Sequence, residues 1–261
     1  MKYIDIHCHL DSSNYGVDQG EVIKRMEDMG VRAITIGTNL VDSIEVVKIA
    51  DKNKNIWACI GVHPKEGATA PVFDEIEFEK LVKSPKVVAI GECGLDYFKL
   101  DGDIDGIKNR QKEIFVQQVE FAIKYNKPLM LHIRDGEKKR EAYEDIYEIL
   151  KKYEGKIRGN IHFFTANLEW AEKFIDLGFT ISFVGLITYV QDFNKIIKNV
   201  SLESIQAETD APYVAPVPHR GERNEPSYVI EVYKKIAEIR GEDAEKVRLQ
   251  LIDNARKLFC I

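Results

Sequence analysis

The segment Tyr3-Ile4-Asp5-Ile6-His7-Cys8-His9 reads as an apolar, strand-like run, and no glycine-rich phosphate fingerprint follows it. An open, doubly wound sheet built for a dinucleotide would carry that fingerprint at its first turn, so the reading moves toward a closed sheet. Working outward, seven further short apolar runs occur at 33–38, 56–62, 87–92, 128–133, 160–164, 180–184 and 205–209. Between them, apolar residues recur every three to four positions at 18–30, 42–54, 74–83, 107–126, 137–154, 168–177 and 190–199, the spacing of amphipathic helices. In 107–126, Ile107, Ile114, Phe115, Val119, Ala122 and Ile123 fall on one stripe. Two more helices are expected at 226–240 and 243–258, and Gly30, Gly155, Gly178 and Gly241 stand where C-terminal caps belong. Eight strands, each followed by a helix, predict an α/β fold of the (β/α)8 TIM-barrel type, a parallel eight-stranded barrel with outer helices. No linker, repeat or low-complexity stretch divides residues 1–261, so one domain is expected.

Composition narrows the function classes. Hydrophobic residues make up 44% and charged residues 31%, which excludes disorder and collagen-like fibre. No apolar run reaches the roughly 18–20 residues that span a bilayer, and residues 1–10 lack a secretory apolar stretch, so a cytoplasmic location is expected. Cys8, Cys59, Cys93 and Cys260 form neither a CxxC pair nor a dense framework; the first three lie in strand-like runs and read as buried free thiols. A net charge of -6, from 37 basic and 43 acidic residues, argues against a general basic coat but leaves room for a local basic rim.

Catalytic residues of such a barrel sit where strands end. Five of the six histidines do so: His7 and His9 on the first strand, His63 after the third, His132 on the fifth and His162 in the sixth. Glu92 ends the fourth strand, and the eighth runs into Glu208-Thr209-Asp210. Strand ends occupy roughly a tenth of the chain, so scatter would place fewer than one histidine there. His7 and His9, two apart on a strand, share a face and can converge on one ion. Imidazole and carboxylate donors suit zinc, manganese, iron or nickel, whereas magnesium prefers more oxygen and water. Four histidines and two carboxylates exceed the needs of one tetrahedral ion; two ions bridged by a shared carboxylate and a water or hydroxide would use them all.

With these residues in hand, the chain resembles the TatD family of metal-dependent deoxyribonucleases, a branch of the amidohydrolase-like barrels. The stretches that carry the resemblance begin with Asp5-Ile6-His7-Cys8-His9-Leu10-Asp11, Gly61-Val62-His63-Pro64 and Gly91-Glu92-Cys93-Gly94-Leu95-Asp96-Tyr97. They continue with Leu131-His132-Ile133-Arg134, His162-Phe163-Phe164-Thr165, Glu208-Thr209-Asp210-Ala211-Pro212-Tyr213 and the run from Pro216 to Pro226. The resemblance implies that His7, His9 and Asp210 hold one divalent ion, that His132 and His162 hold a second, and that Glu92 bridges them. Related amidohydrolases often use a carbamylated lysine where Glu92 stands. The chain departs from the family in Phe164-Thr165-Ala166, where Phe-Ser-Gly is common, and in His219, where an aromatic residue is common.

The expected activity is hydrolysis of DNA phosphodiesters, at single-stranded or damaged ends, by a water activated between two ions of magnesium, manganese or zinc. Asp210 is the candidate to take the water's proton, with Glu92 as bridge. His63 and Arg134 are expected to grip phosphate or assist the leaving group, and Arg220 to bind substrate; alternatively Arg134 pairs with Asp96 to orient a ligand. Glu208 is expected to water-bridge an ion, hold a weak third one or orient a ligand. Lys65, Arg134, Arg220 and Arg223 would form the basic rim, and Tyr97, Phe164 and Tyr213 could stack on bases. His219 reads as a loop residue, Lys138, Lys139 and Arg140 as a solvated helix face, and 99–106 as a surface loop. DNA is the expected partner, with no membrane. The alternative is a metal-dependent hydrolase of a small amide, ester or lactone.

Overall fold

The computed structural model describes residues 2–11, 15–65 and 73–261. Eight strands form one sheet in sequence order, all neighbours parallel: β1 (Tyr3–Cys8), β2 (Val31–Ile36), β3 (Ile56–Ile60), β4 (Val87–Asp96), β5 (Leu129–Arg134), β6 (Gly159–Ile161), β7 (Phe179–Phe183) and β8 (Ile205–Ala207). The sheet closes just past β8. There Cys8 bridges Ala211, His9 N–H donates to the Ala211 carbonyl at 2.8 Å, and Asp210 N–H donates to the His7 carbonyl at 2.9 Å. This is the expected barrel.

Around it lie α1 (Gln19–Asp28), α2 (Leu40–Lys52), α3 (Glu75–Val82), α4 (Ile104–Lys124), α5 (Glu141–Lys151), α6 (Leu168–Asp176), α7 (Asn194–Asn199), α8 (Val229–Arg240) and α9 (Ala244–Phe259). Every residue of β4 is buried, as parallel strands covered on both faces must be. Ile4, Ile34, Ile60, Leu129 and Ile181 are fully buried, and Tyr143, Trp170, Phe174 and Phe179 pack as an aromatic layer at α5 and α6. Each such side chain contributes about 1.5–3 kcal/mol on burial, which makes the barrel a stiff frame for its mouth. Cys8, Cys59 and Cys93 are buried free thiols, and Cys260 is exposed. Among the described residues, no helix is long and apolar enough to cross a membrane.

Several boundaries differ from the sequence reading. β6 and β8 have three residues each, so His162 and Glu208 follow their strands rather than lying within them. α5 starts at Glu141 because the Asp135 carboxylate accepts the N–H groups of Arg140 (2.8 Å) and Ala142 (3.2 Å), making 137–140 a turn. Lys138, Lys139 and Arg140 therefore precede the helix instead of lining its face. Part of the acidic loop is likewise helical: Asp103 caps α4 by accepting from Gly106 N–H at 3.1 Å.

Candidate metal centre

Strand geometry delivers the polar side chains to one end of the barrel. Asp5 ties the seam together, accepting from His7 N–H (3.2 Å), Thr209 N–H (2.9 Å) and the Thr209 hydroxyl (2.5 Å). Gly91 and Gly94 have φ of +152° and +141°, and a Cβ on either would lie 2.4 Å from the Met130 carbonyl oxygen or 2.1 Å from that of His132. Only glycine lets β4 approach β5 this closely, bringing Glu92 and Asp96 beside His132. Two glutamines seven apart on α4 clamp the neighbouring backbone. Gln118 pairs with both backbone groups of Val62 (2.8 and 3.0 Å), and Gln111 with both of Asp96 (2.9 Å each). Phe163 and Asp210 adopt left-handed backbone, φ +47° and +54°, strain of the kind that collects at functional sites.

The side chains converge on Glu92. On one side, His7 Nε2 and His9 Nε2 face each other at 3.4 Å. Glu92 Oε2 is 3.5 and 3.9 Å from them, and Asp210 Oδ1 is 3.7 and 3.4 Å. Zinc–nitrogen bonds near 2.0–2.1 Å imply donor–donor edges of about 3.3–3.5 Å in a tetrahedron, close to these separations. On the other side, Glu92 Oε1 meets His132 Nδ1 (2.7 Å), His162 Nε2 (3.4 Å) and His63 Nε2 (3.6 Å). His7, His9 and Glu92 form one group of donor atoms with metal-binding spacing, and Glu92, His132 and His162 form another. The donor set thus fits divalent cations on both sides of a shared carboxylate.

Other side chains hold these donors. Asp96 Oδ2 lies 3.1 Å from His132 Nε2 and 3.7 Å from Lys65 Nζ. Glu208 accepts from His162 Nδ1 (3.1 Å), Phe163 N–H (2.7 Å) and the Ser182 hydroxyl (2.8 Å), contacts that hold the His162 ring. The Lys65 N–H donates to His63 Nδ1 at 3.2 Å, which leaves the His63 proton on Nε2, facing Glu92.

Charge is concentrated here. Burial would raise the Glu92 carboxyl, yet His162, His63, His132 and His7 hold it well below its ordinary range. Asp210 is lowered for the same reason, burial being outweighed by His162, His9 and His7. Burial would depress His162, but Glu208, Glu92 and Asp210 carry it to about 10. His9 and His132 are raised by their carboxylate partners against burial. Burial and its neighbour His162 lower His7; burial and His132 push His63 down to about 3.

The cluster opens into a cleft of about 340 Å³ lined by His9, Asp11, Thr38, Asp42, His63, Lys65, Glu92, His132, His162, Asp210 and Tyr213. Of the expected basic rim, only Lys65 lines it among the described residues. Arg134 stacks on Phe98 at 3.8 Å, and Asp96 is engaged by His132 and Lys65 rather than by Arg134. Arg220 lies over Tyr189, and Arg223 pairs with Asp18 at 2.9 Å. Tyr97 is buried with its hydroxyl on Asp145, and Phe164 is buried against Tyr143, so neither can stack on a base; Tyr213, half exposed beside the His9 ring, can. His219 stacks on Tyr228 at 3.7 Å. Sequence reasoning missed Asp5, Asn160, Ser182, Thr38 and Asp42. Of these, Asp5 had a signal, since it stands two before His7 on the same strand face.

Comparison with known proteins agrees with this geometry. Residues 4–260 match the family described as TatD related DNase. The uncharacterized metal-dependent hydrolase YabD of Bacillus subtilis (strain 168) is 34% identical over 98% of this chain and 98% of its own. The 3'-5' ssDNA/RNA exonuclease TatD of Shigella flexneri serotype 5b (strain 8401) is 31% identical, again covering 98% of both. The crystal structure of YJJV, a TatD homolog from Escherichia coli K12, superposes with a TM-score of 0.88 at 28% identity, covering 100% of this chain and 98% of that one. The chain therefore belongs to the TatD-related DNase family of metal-dependent hydrolases.

Proposed function

We propose that this hydrolase cleaves DNA phosphodiesters, trimming single-stranded or damaged ends, with residues 1–261 acting as one catalytic domain. The observation that carries the reading is the two-sided donor cluster around Glu92. The 31% identical relative from Shigella flexneri, named a single-stranded DNA and RNA exonuclease, supports the substrate class. His7, His9, Glu92 and Asp210 would hold one divalent ion; Glu92, His132 and His162 would hold the second, with magnesium, manganese or zinc as candidates. Bound there, such ions supply an activated water and neutralise charge growing on the phosphate oxygens.

The side chains do the rest. Asp210, held ionised by the histidines around it, takes the proton of the attacking water. His63, neutral with its proton on Nε2, donates a hydrogen bond to a phosphate oxygen. Arg134, Arg220 and Lys65 bind phosphates along the strand, and Tyr213 stacks on a base. Among the described residues the cleft lining sets the carboxylates Asp11, Asp42, Glu92 and Asp210 against Lys65 and a His162 raised to about 10, so the carboxylates oppose a phosphate until cations offset them. Two divalent ions reverse that sign at its centre, which makes cation binding a condition for substrate binding as well as for chemistry.

The test is hydrolysis of an end-labelled single-stranded DNA oligonucleotide by metal-stripped protein, then with added magnesium, manganese or zinc. A small ester, amide and lactone run alongside with the same metal, and a His7→Ala/His9→Ala variant controls for contaminating nuclease. The expected result is a metal-dependent product ladder from one end, lost in the variant. No cleavage with any metal, or esters preferred by orders of magnitude, would overturn the reading.

A further inference from the structure

The interior of a (β/α)8 barrel is ordinarily filled by branched apolar side chains. Here, beneath the metal centre, Asn160 from the β6 strand and Ser182 from β7 are fully buried and joined to Glu208 in one hydrogen-bonded line. Placing such groups inside a barrel carries a desolvation cost unless each is paired, and each is. The Thr180 hydroxyl donates to Asn160 Oδ1 at 2.9 Å, which aims the Asn160 amide nitrogen at Ser182 Oγ, 2.7 Å away. Having accepted from Asn160, Ser182 gives its own proton to Glu208 Oε2 at 2.8 Å. The other Glu208 oxygen accepts from Phe163 N–H and His162 Nδ1. Thr180 and Ser182 each have a second, longer acceptor, the Gly159 carbonyl at 3.3 Å and the Ile161 carbonyl at 3.2 Å, so the shorter contacts favour a line of donation that converges on Glu208 from Thr180 at one end and from the imidazole at the other.

We infer that Ser182 and Asn160 are positioning residues for the second ion: they lock Glu208 so that His162 keeps its proton on Nδ1 and presents Nε2 to the cation. This rests on the reading above that His162 holds an ion. Neither residue hydrogen-bonds to Glu92, His7 or His9; His162 stacks on His7 at 3.7 Å, so the effect should be largest at the second ion and reach the first only through that ring contact.

Manganese titration of metal-stripped protein, read by calorimetry and by electron paramagnetic resonance, tests it. The wild type is expected to bind two ions. Ser182→Ala should weaken the second by about 10–100-fold, the usual cost of removing a group that orients a ligand. The ion that survives should be the one that His7→Ala/His9→Ala removes. Ser182→Thr, which keeps the hydroxyl, should restore the second ion. Asn160→Ala should weaken it in the same direction, and carries the test alone if Ser182→Ala fails to fold. Unchanged affinity in both Ser182→Ala and Asn160→Ala, or equal loss of both ions, would overturn the inference. A wild type that binds a single ion would overturn the two-ion reading beneath it, and the inference with it.

Discussion

The two halves of the candidate metal centre are held by different means. His7 lies in β1 and His9 just past its end, two residues on, and both meet Asp210 across the barrel seam; local chain geometry and backbone pairing bring them together. His7 Nδ1 is buried without a hydrogen-bond partner among the described residues. His132 comes from β5 and His162 from just past β6, and each has a buried carboxylate on the nitrogen that faces away from Glu92: Asp96 for His132, Glu208 for His162. The first half is shaped by the chain's own geometry. The second is shaped by anions that also attract protons, and should answer more strongly to pH and to changes in the residues behind it.

The largest expected effect lies in the first half. Asp210→Asn should keep the shape of the seam and most bound metal but remove the proposed proton acceptor, so kcat should fall by about 10²–10⁴-fold. Steady-state turnover of the oligonucleotide with parallel metal analysis checks it, and retained turnover would remove Asp210 from the chemistry.

The next separates the halves by pH. Metal-free His162, at about 10, is protonated at neutral pH and must lose that proton to bind a cation. Second-ion affinity should therefore rise with pH, by up to about tenfold per unit for one proton exchanged, with matching proton release. His132 is raised too, whereas in the first half His9 is raised and His7 lowered, so the first ion should show the shallower dependence. Calorimetric titrations in buffers of different ionisation heat measure both slopes. Equal slopes would erase the contrast.

Backbone support gives a third, smaller effect. A Cβ at Gly94 meets the His132 carbonyl oxygen at 2.1 Å on a φ of +141°, so Gly94→Ala should cost about 1–3 kcal/mol in stability and disturb the second half. Gly20→Ala, in α1 with nothing within 4 Å of the added carbon, is the control, and should raise Tm slightly. Smallest is Lys65→Ala. It should raise KM a few-fold and make the salt dependence of single-stranded DNA binding shallower by about 0.7 in log–log slope.

The barrel was legible because short apolar runs and period-3.6 stripes alternate along the chain, and the donor set because those histidines and carboxylates cluster at the ends of the runs. Less legible were features set by neighbours distant in sequence. Tyr97 and Phe164 follow strands as a base-stacking residue would, but α5 covers both, and no local pattern announces that. Arg223 reads as a free rim charge until the fold brings Asp18 to it from 205 residues away. Asn160 and Ser182 pass for ordinary strand residues, because a hydrogen-bond line across three strands exists only once the barrel closes. Glu208 had three readings from sequence, and its partners His162 and Ser182 could not be named before the barrel closed.

The central claim is that both halves act together through Glu92. It is tested most directly by the turnover of labelled single-stranded DNA as metal-stripped protein is loaded ion by ion with manganese. Turnover should stay near zero through the first equivalent and rise with the second. Full turnover at one equivalent would contradict it.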